Sequence, residues 1–251
     1  MAKIYSNEKI PKRIGNYVTY PVEDKGYHIL QLKTGFTKEK MNSDLKYDLC
    51  LKNSNEFARI SSLCKKIRYE LRDLLPKKNN GAICNSLTSI MRKAMILDTV
   101  SVRGERNLGM AFENEPARQL LTGYDFNPFG FLPSAFKDKF FFDLDAGLLQ
   151  FNSFKATKIF TFPDGDFLLG IRLHHLRFDF QEETGAIQSS GWQFFGMDYK
   201  SKQLSFQMPA NFSQGVGFYI LEIDFFHNEN GTLLPQNNSA SKSVFVIGIS
   251  S

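Results

Sequence analysis

The residue groupings best suited to chemistry in this sequence are few, and each has an ordinary structural use. His174-His175 is the single paired histidine. Neighbours on a strand point to opposite faces, so the two cannot ligate one metal from a regular ladder, and a structural role is assigned to His174. Asp143/Asp145 and Asp164/Asp166 place carboxylates two residues apart. Neither pair lies in a longer calcium loop closed by a bidentate carboxylate, so turn chemistry accounts for both. The glycines of Gly215-Val216-Gly217 lead into a strand rather than opening a helix, which is not how a phosphate loop is built. Serine and cysteine lack an elbow-like context, and His28 and His227 have no partner visible in sequence. Cys50, Cys64 and Cys84 are odd in number and show no CxxC spacing, so they are read as small buried hydrophobes, with neither a disulfide nor zinc expected. The expectation is a non-enzymatic protein with no catalytic residues, no cofactor and no metal.

Charge is the stronger signal. Residues 1–100 hold 19 Lys/Arg against 10 Asp/Glu and residues 101–251 hold 12 against 16, so a net +5 hides halves of +9 and −4. Lys65, Arg68 and Arg72 align beside one apolar helix stripe, with Lys77 and Lys78 in the adjoining loop and Arg92 and Lys93 on the next helix. These seven residues are the predicted contact for phosphate or an acidic partner. Arg59 and Lys66 share a different sector with Glu70 and Asp73, where charges neutralise locally. A solvated charged face is the simpler reading of the stripe, and its long helices do not resemble a helix-turn-helix.

The elements follow from periodicity. Tyr17–Tyr20 and Tyr27–Leu32 alternate about a polar turn and predict an N-terminal β-hairpin. Ser43-Asp44 is placed to cap a short helix. Phe57, Ile60, Leu63, Cys64, Ile67, Leu71, Leu74 and Leu75 fall within roughly a 120° arc of a helix that Pro76 ends. Ile83, Leu87, Ile90, Met91, Ala94 and Leu97 form a second stripe after a cap at Asn80, which predicts an antiparallel helix hairpin. Residues 98–112 read as loop, and Pro116–Leu121 as a short third helix before Gly123. Beyond Phe126, short strands broken by Asp-Gly, Asn-Gly and Pro-containing turns predict an antiparallel sandwich. Within it Leu173–Phe180 alternates, with His174 on a buried face and His175 on a wet one.

Gly15-Asn16, Asn53–Arg59, Arg103-Gly104-Glu105-Arg106-Asn107 and Leu121–Asn127, taken together, resemble an uncharacterised bacterial family of about this length with an N-x-x-E-F-G-R helix and an R-G-x-R-N loop. Ala58 stands where that pattern has glycine. The resemblance implies a shared architecture and assigns no activity or site. The resulting expectation is an α+β protein. An N-terminal β-hairpin and antiparallel helix hairpin (residues 1–123, basic) precede a C-terminal antiparallel β-sandwich (residues 124–251), the two being separate or one integrated domain. With no apolar leader or span in the sequence, a cytoplasmic location is expected. The 25 phenylalanines, the terminal strands and the opposed charges point to a structural or scaffold protein that self-associates into a homo-oligomer or polymer through β edges. A nucleic-acid-associated binding module using the basic stripe is the alternative.

Overall fold

A computed structural model describes residues 2–5, 10–22, 26–32, 38–76, 80–127, 140–208, 215–236 and 242–251. The fold is α+β, and the chain divides into two compact units, Met1–Leu51 and Lys52–Ser251.

In the first unit, the predicted hairpin forms from β3 (Tyr17–Val22) and β4 (Tyr27–Leu32), and it is widened by β1 (Ala2–Ile4) and β2 (Arg13–Ile14) into a sheet ordered β1-β4-β3-β2. The sheet holds little core: of its described strand residues Thr19 alone is buried, its hydroxyl donating to the Pro11 carbonyl at 2.6 Å. After α1 (Lys38–Ser43), Asp44 caps a short 3-10 turn by accepting from the Lys46 N–H, close to the predicted cap, and α2 (Asp48–Glu70) follows. That helix starts at Asp48, ahead of Phe57, the first residue of the predicted stripe.

The second unit is layered around a six-stranded antiparallel sheet. Its axis is the pair β7 (Phe167–Asp179) and β11 (Val216–Glu229), in register from Val216 opposite Phe178 to His227 opposite Phe167. Beside β7 lie β8 (Thr184–Ser189) and β9 (Gln193–Phe195), and beside β11 lie β12 (Thr232–Pro235) and β13 (Ser243–Ser250). Asn230 and Gly231 both take positive φ (52° and 85°), the backbone that a two-residue hairpin demands, so β11 turns into β12 where sequence placed a hairpin.

Helices cover one face of this sheet. α2 and α3 (Asn80–Met95), with α4 (Leu108–Phe112) and α5 (Glu115–Leu121), bury Ile60, Leu63, Ile67, Leu87, Met91 and Phe112 against Leu176, Phe178, Phe218, Ile220 and Val246. The ring of Phe112 packs 5.7 Å from Phe218 and 5.5 Å from Phe180, locking α4 to the sheet. The predicted stripes are the buried faces, except that Phe57 is 52% exposed. Residues 98–112 are not all loop: the Asn107 side chain accepts from the Gly109 N–H at 2.7 Å and starts α4.

The other face carries a three-stranded sheet, β10 (Lys200–Gln207), β6 (Leu148–Lys155) and β5 (Phe140–Asp143), with the short α6 (Ala156–Ile159). Phe151, Phe154 and Phe206 pack there against Leu169, Leu221, Phe245 and Ile247. Much of the phenylalanine content is thus core between two sheets. Both faces of β7 are covered, which corrects the expected wet face: His175 is buried and stacked on Tyr219 at 4.5 Å.

Candidate anion-binding pocket and other contact surfaces

The two motifs that carried the sequence resemblance meet in space. On α2, Asn53, Glu56, Phe57 and Ile60 recur at i, i+3, i+4 and i+7, which sets them on one face. The loop Arg103–Asn107 lies against that face. Buried Glu56 accepts from the Gly104 N–H at 2.7 Å, Arg103 Nη2 donates to Asn53 Oδ1 at 2.9 Å, and Arg59 Nη1 donates to the Arg106 carbonyl at 2.8 Å. Asp98 holds the same loop from below, accepting from the N–H groups of Val100, Ser101 and Asn107 at 2.9–3.0 Å. Burial raises the Asp98 carboxyl, but the bonds from Ser101, Asn107 and Val100 outweigh it and hold the group down to about 2.

Gly104 fits this junction for a steric reason. Its φ is +101°, and a Cβ there would sit 2.7 Å from the Lys52 side chain. Replacing Gly104 with alanine is expected to cost about 1–3 kcal/mol, readable as a lower midpoint in urea unfolding at unchanged slope. A midpoint equal to that of the parent chain would count against a strained junction.

Between the motifs lies a cavity of about 260 Å³ lined by Asn53, Glu56, Phe57, Ile60, Arg92, Met95, Ile96, Arg103 and Arg106. Its floor is apolar, since Ile60 and Met95 are buried, and Phe57 and Ile96 stand half-exposed at the rim. Three guanidiniums face one carboxylate, and that carboxylate is already bonded to Gly104.

The predicted basic residues do not converge. Residues 53–60 of α2 line one cavity with Arg92, Met95 and Ile96, and Cys64 bonds to Thr88, so the two helices run antiparallel, as expected. Arg92 therefore lies at one end of the helix pair, with Arg103 and Arg106, while Lys65, Arg68 and Arg72 lie toward the other. Lys65 and Lys93 are exposed. Arg68 Nε donates to the Cys64 carbonyl at 3.3 Å, and Arg72 lies 4.4 Å over the Tyr69 ring. Lys77 and Lys78 lie outside the described residues. Lys66 and Arg59 do not neutralise locally: Lys66 pairs with Glu183 at 2.5 Å, and Arg59 is spent on the loop. The cysteines are free thiols. Cys64 is buried, which pushes its thiol up to about 12, whereas Cys50 is exposed, contrary to the expectation for all three.

A second polar group, unread in sequence, sits inside the large sheet. Glu222 on β11 accepts from Arg172 Nη2 at 2.7 Å and Nε at 3.0 Å, from Lys242 Nζ at 2.6 Å, and from His174 Nε2 at 2.9 Å. Because Nε2 donates to the carboxylate, Nδ1 accepts from the Ser189 hydroxyl, 2.7 Å away. The order serine, histidine, acid is that of a nucleophile relay. Here, however, two cations already face the carboxylate, and burial, ahead of the opposing pull of Glu222, lowers the His174 pKa. A proton arriving on His174 would be the third positive charge against one negative, so the row is assigned to structure. The available sequence signal was the pair Glu222 and Asp224 inside an apolar run. The turn reading holds for Asp143, whose Oδ1 accepts from the Ala146 N–H at 2.9 Å.

Comparison of the chain with protein-family models, with curated proteins and with solved structures found no match. Among the described residues no group of three His, Cys, Asp or Glu is placed to hold a metal ion, and no described helix is long and apolar enough to cross a membrane.

The strand edges also differ in availability. Gly123–Phe126 runs along the outer edge of β13: Gly123 N–H donates to Val246 at 2.7 Å, Phe126 N–H to Val244 at 2.8 Å, and Val246 N–H to Tyr124 at 2.9 Å. The C-terminal strand is thus paired on both sides from Val244 to Val246. In the N-terminal sheet, Ile14, Tyr17 and Leu32 share one face and stay 43–48% exposed, while Tyr20 on the opposite face is 52% exposed.

Proposed function

We propose that this is a non-enzymatic structural protein that associates with copies of itself through its N-terminal four-stranded sheet. The observation that carries this reading is that no apolar side chain on the four strands is buried, although both faces bear Ile, Leu, Val or Tyr. A layer with apolar side chains on both faces and, among the described residues, none of them buried is marginal in water and gains stability when another layer covers it. A second copy is the partner of choice because the +9 and −4 halves of the chain favour opposed contacts between like molecules. The pairing of Gly123–Phe126 along Val244–Val246 leaves less of the β13 edge open and favours the N-terminal sheet as the contact.

Size exclusion with light scattering tests it at low and high salt. The full chain is expected to run as an oligomer, with Ile14→Glu and Leu32→Glu each weakening association at least tenfold. Both sites are exposed, so the monomer fold should survive, as its circular dichroism would verify. A monodisperse monomer at high concentration and low salt sinks the proposal.

A further inference from the structure

We infer that the cavity between α2, α3 and the Arg103–Asn107 loop is a binding site for an oxyanion, the phosphate or carboxylate group of a small ligand. The inference is independent of self-association, since it concerns different residues.

Three features combine. First, the positive groups are gathered from two separate elements: Arg92 from the last turn of α3, and Arg103 and Arg106 from a loop that follows it. Among the described residues none of the three is ion-paired, although guanidiniums so placed repel one another and ordinarily draw a carboxylate between them. Second, the Nε of Arg106 is buried and has no hydrogen-bond partner. A buried donor left unmade is costly, and a charged one more so, which gives the Arg106 side chain reason to turn toward an acceptor that enters the cavity it lines. Third, the loop is held before any ligand arrives. Glu56, Asn53, Arg59 and Asp98 each fix a point of it by a bond of 2.7–3.0 Å. Such preorganisation lowers the ordering cost of binding.

The cavity also sets limits on the ligand. At about 260 Å³ it admits a phosphate or carboxylate with a small organic body. Glu56 leaves the wall with an excess of two positive charges rather than three, and Phe57 and Ile96 offer apolar surface to the part of the ligand that carries no charge.

Isothermal titration of the full chain with inorganic phosphate, and separately with acetate, at constant ionic strength set by chloride, tests the assignment. Saturable binding of at least one anion is expected, weakened at least tenfold in Arg106→Gln and unchanged in Lys65→Gln, whose cation lies away from the cavity. The anion whose affinity depends on Arg106 identifies the group. Should Arg106→Gln fail to fold, Arg92→Gln serves instead, because Arg92 is an exposed residue on a helix and its side chain makes no hydrogen bond among the described residues. Absence of saturable binding for both anions overturns the inference, and so does equal weakening by Lys65→Gln, which would reveal diffuse attraction to a basic surface.

Discussion

Replacing Glu222 with alanine is expected to destabilise the protein by about 3–5 kcal/mol, because it leaves Arg172 and Lys242 confronting each other without their shared acceptor. The side chain of Glu222 is 2% exposed, against 25% for Arg172 and 20% for Lys242, so water reaches the cations poorly and the carboxylate almost not at all. Burial raises the Glu222 carboxyl, but His174, Lys242 and Arg172 together outweigh that and hold it down to about 2. For a unit of this size the loss corresponds to roughly a 10 °C fall in Tm, measurable by thermal unfolding. The triple change Arg172→Met, Glu222→Leu, Lys242→Met is expected to recover most of that stability, since it removes the charges as a set. A Glu222→Ala protein within about 1 kcal/mol of the parent would mean that the cations find other solvation.

Acidification is expected to weaken the fold in two stages. Burial, then the neighbouring Arg177, depresses His175 to about 4, and His174 is lowered as well. A histidine whose folded pKa lies below its unfolded value near 6.5 favours folding when neutral. Its contribution is complete above about pH 6.5 and is lost as pH falls toward the folded value. For His175 alone that loss is about 3 kcal/mol between about pH 6.5 and 4, and His174 adds to it with the same sign. Asp98 and Glu222, both held to about 2, contribute stability above about pH 4 that disappears between about pH 4 and 2. Denaturant unfolding at steps from pH 7.5 to 4 reads the first stage. His175→Phe, which keeps the stack on Tyr219, is expected to flatten it, and an unchanged slope in that variant would remove His175 as its source.

The helices and most strands were legible because their burial is local and periodic. Leu63, Ile67, Leu87 and Met91 recur at helical spacing, and each is buried as its spacing implies. Asn230-Gly231 marked its hairpin through the positive φ both residues accept. α4 was missed because five residues, Leu108–Phe112, are too few to display a period, although Asn107 was a readable cap. The wet face assigned to His175 failed for another reason. Alternation distinguishes two faces of a strand, but it is silent on whether a second sheet covers the polar one.

The cavity was half visible. Arg92 stood among the predicted cations, and Arg103-Gly104-Glu105-Arg106-Asn107 had been singled out with Asn53–Arg59, yet nothing local joined them: Arg59 and the carbonyl of Arg106 that it bonds are 47 positions apart. The cluster at Glu222 is likewise assembled by register, Glu222 opposite Arg172 across β11 and β7, with Lys242 brought in ahead of β13. Period, turn chemistry and charge count act over a few residues, so the chain alone dictated its α+β class, the two helix stripes and the turns that separate its strands. Which arginines share a cavity, which carboxylate must neutralise two cations and which strand edge stays unpaired depend on contacts between distant segments, and those are fixed only when the sheets and helices pack.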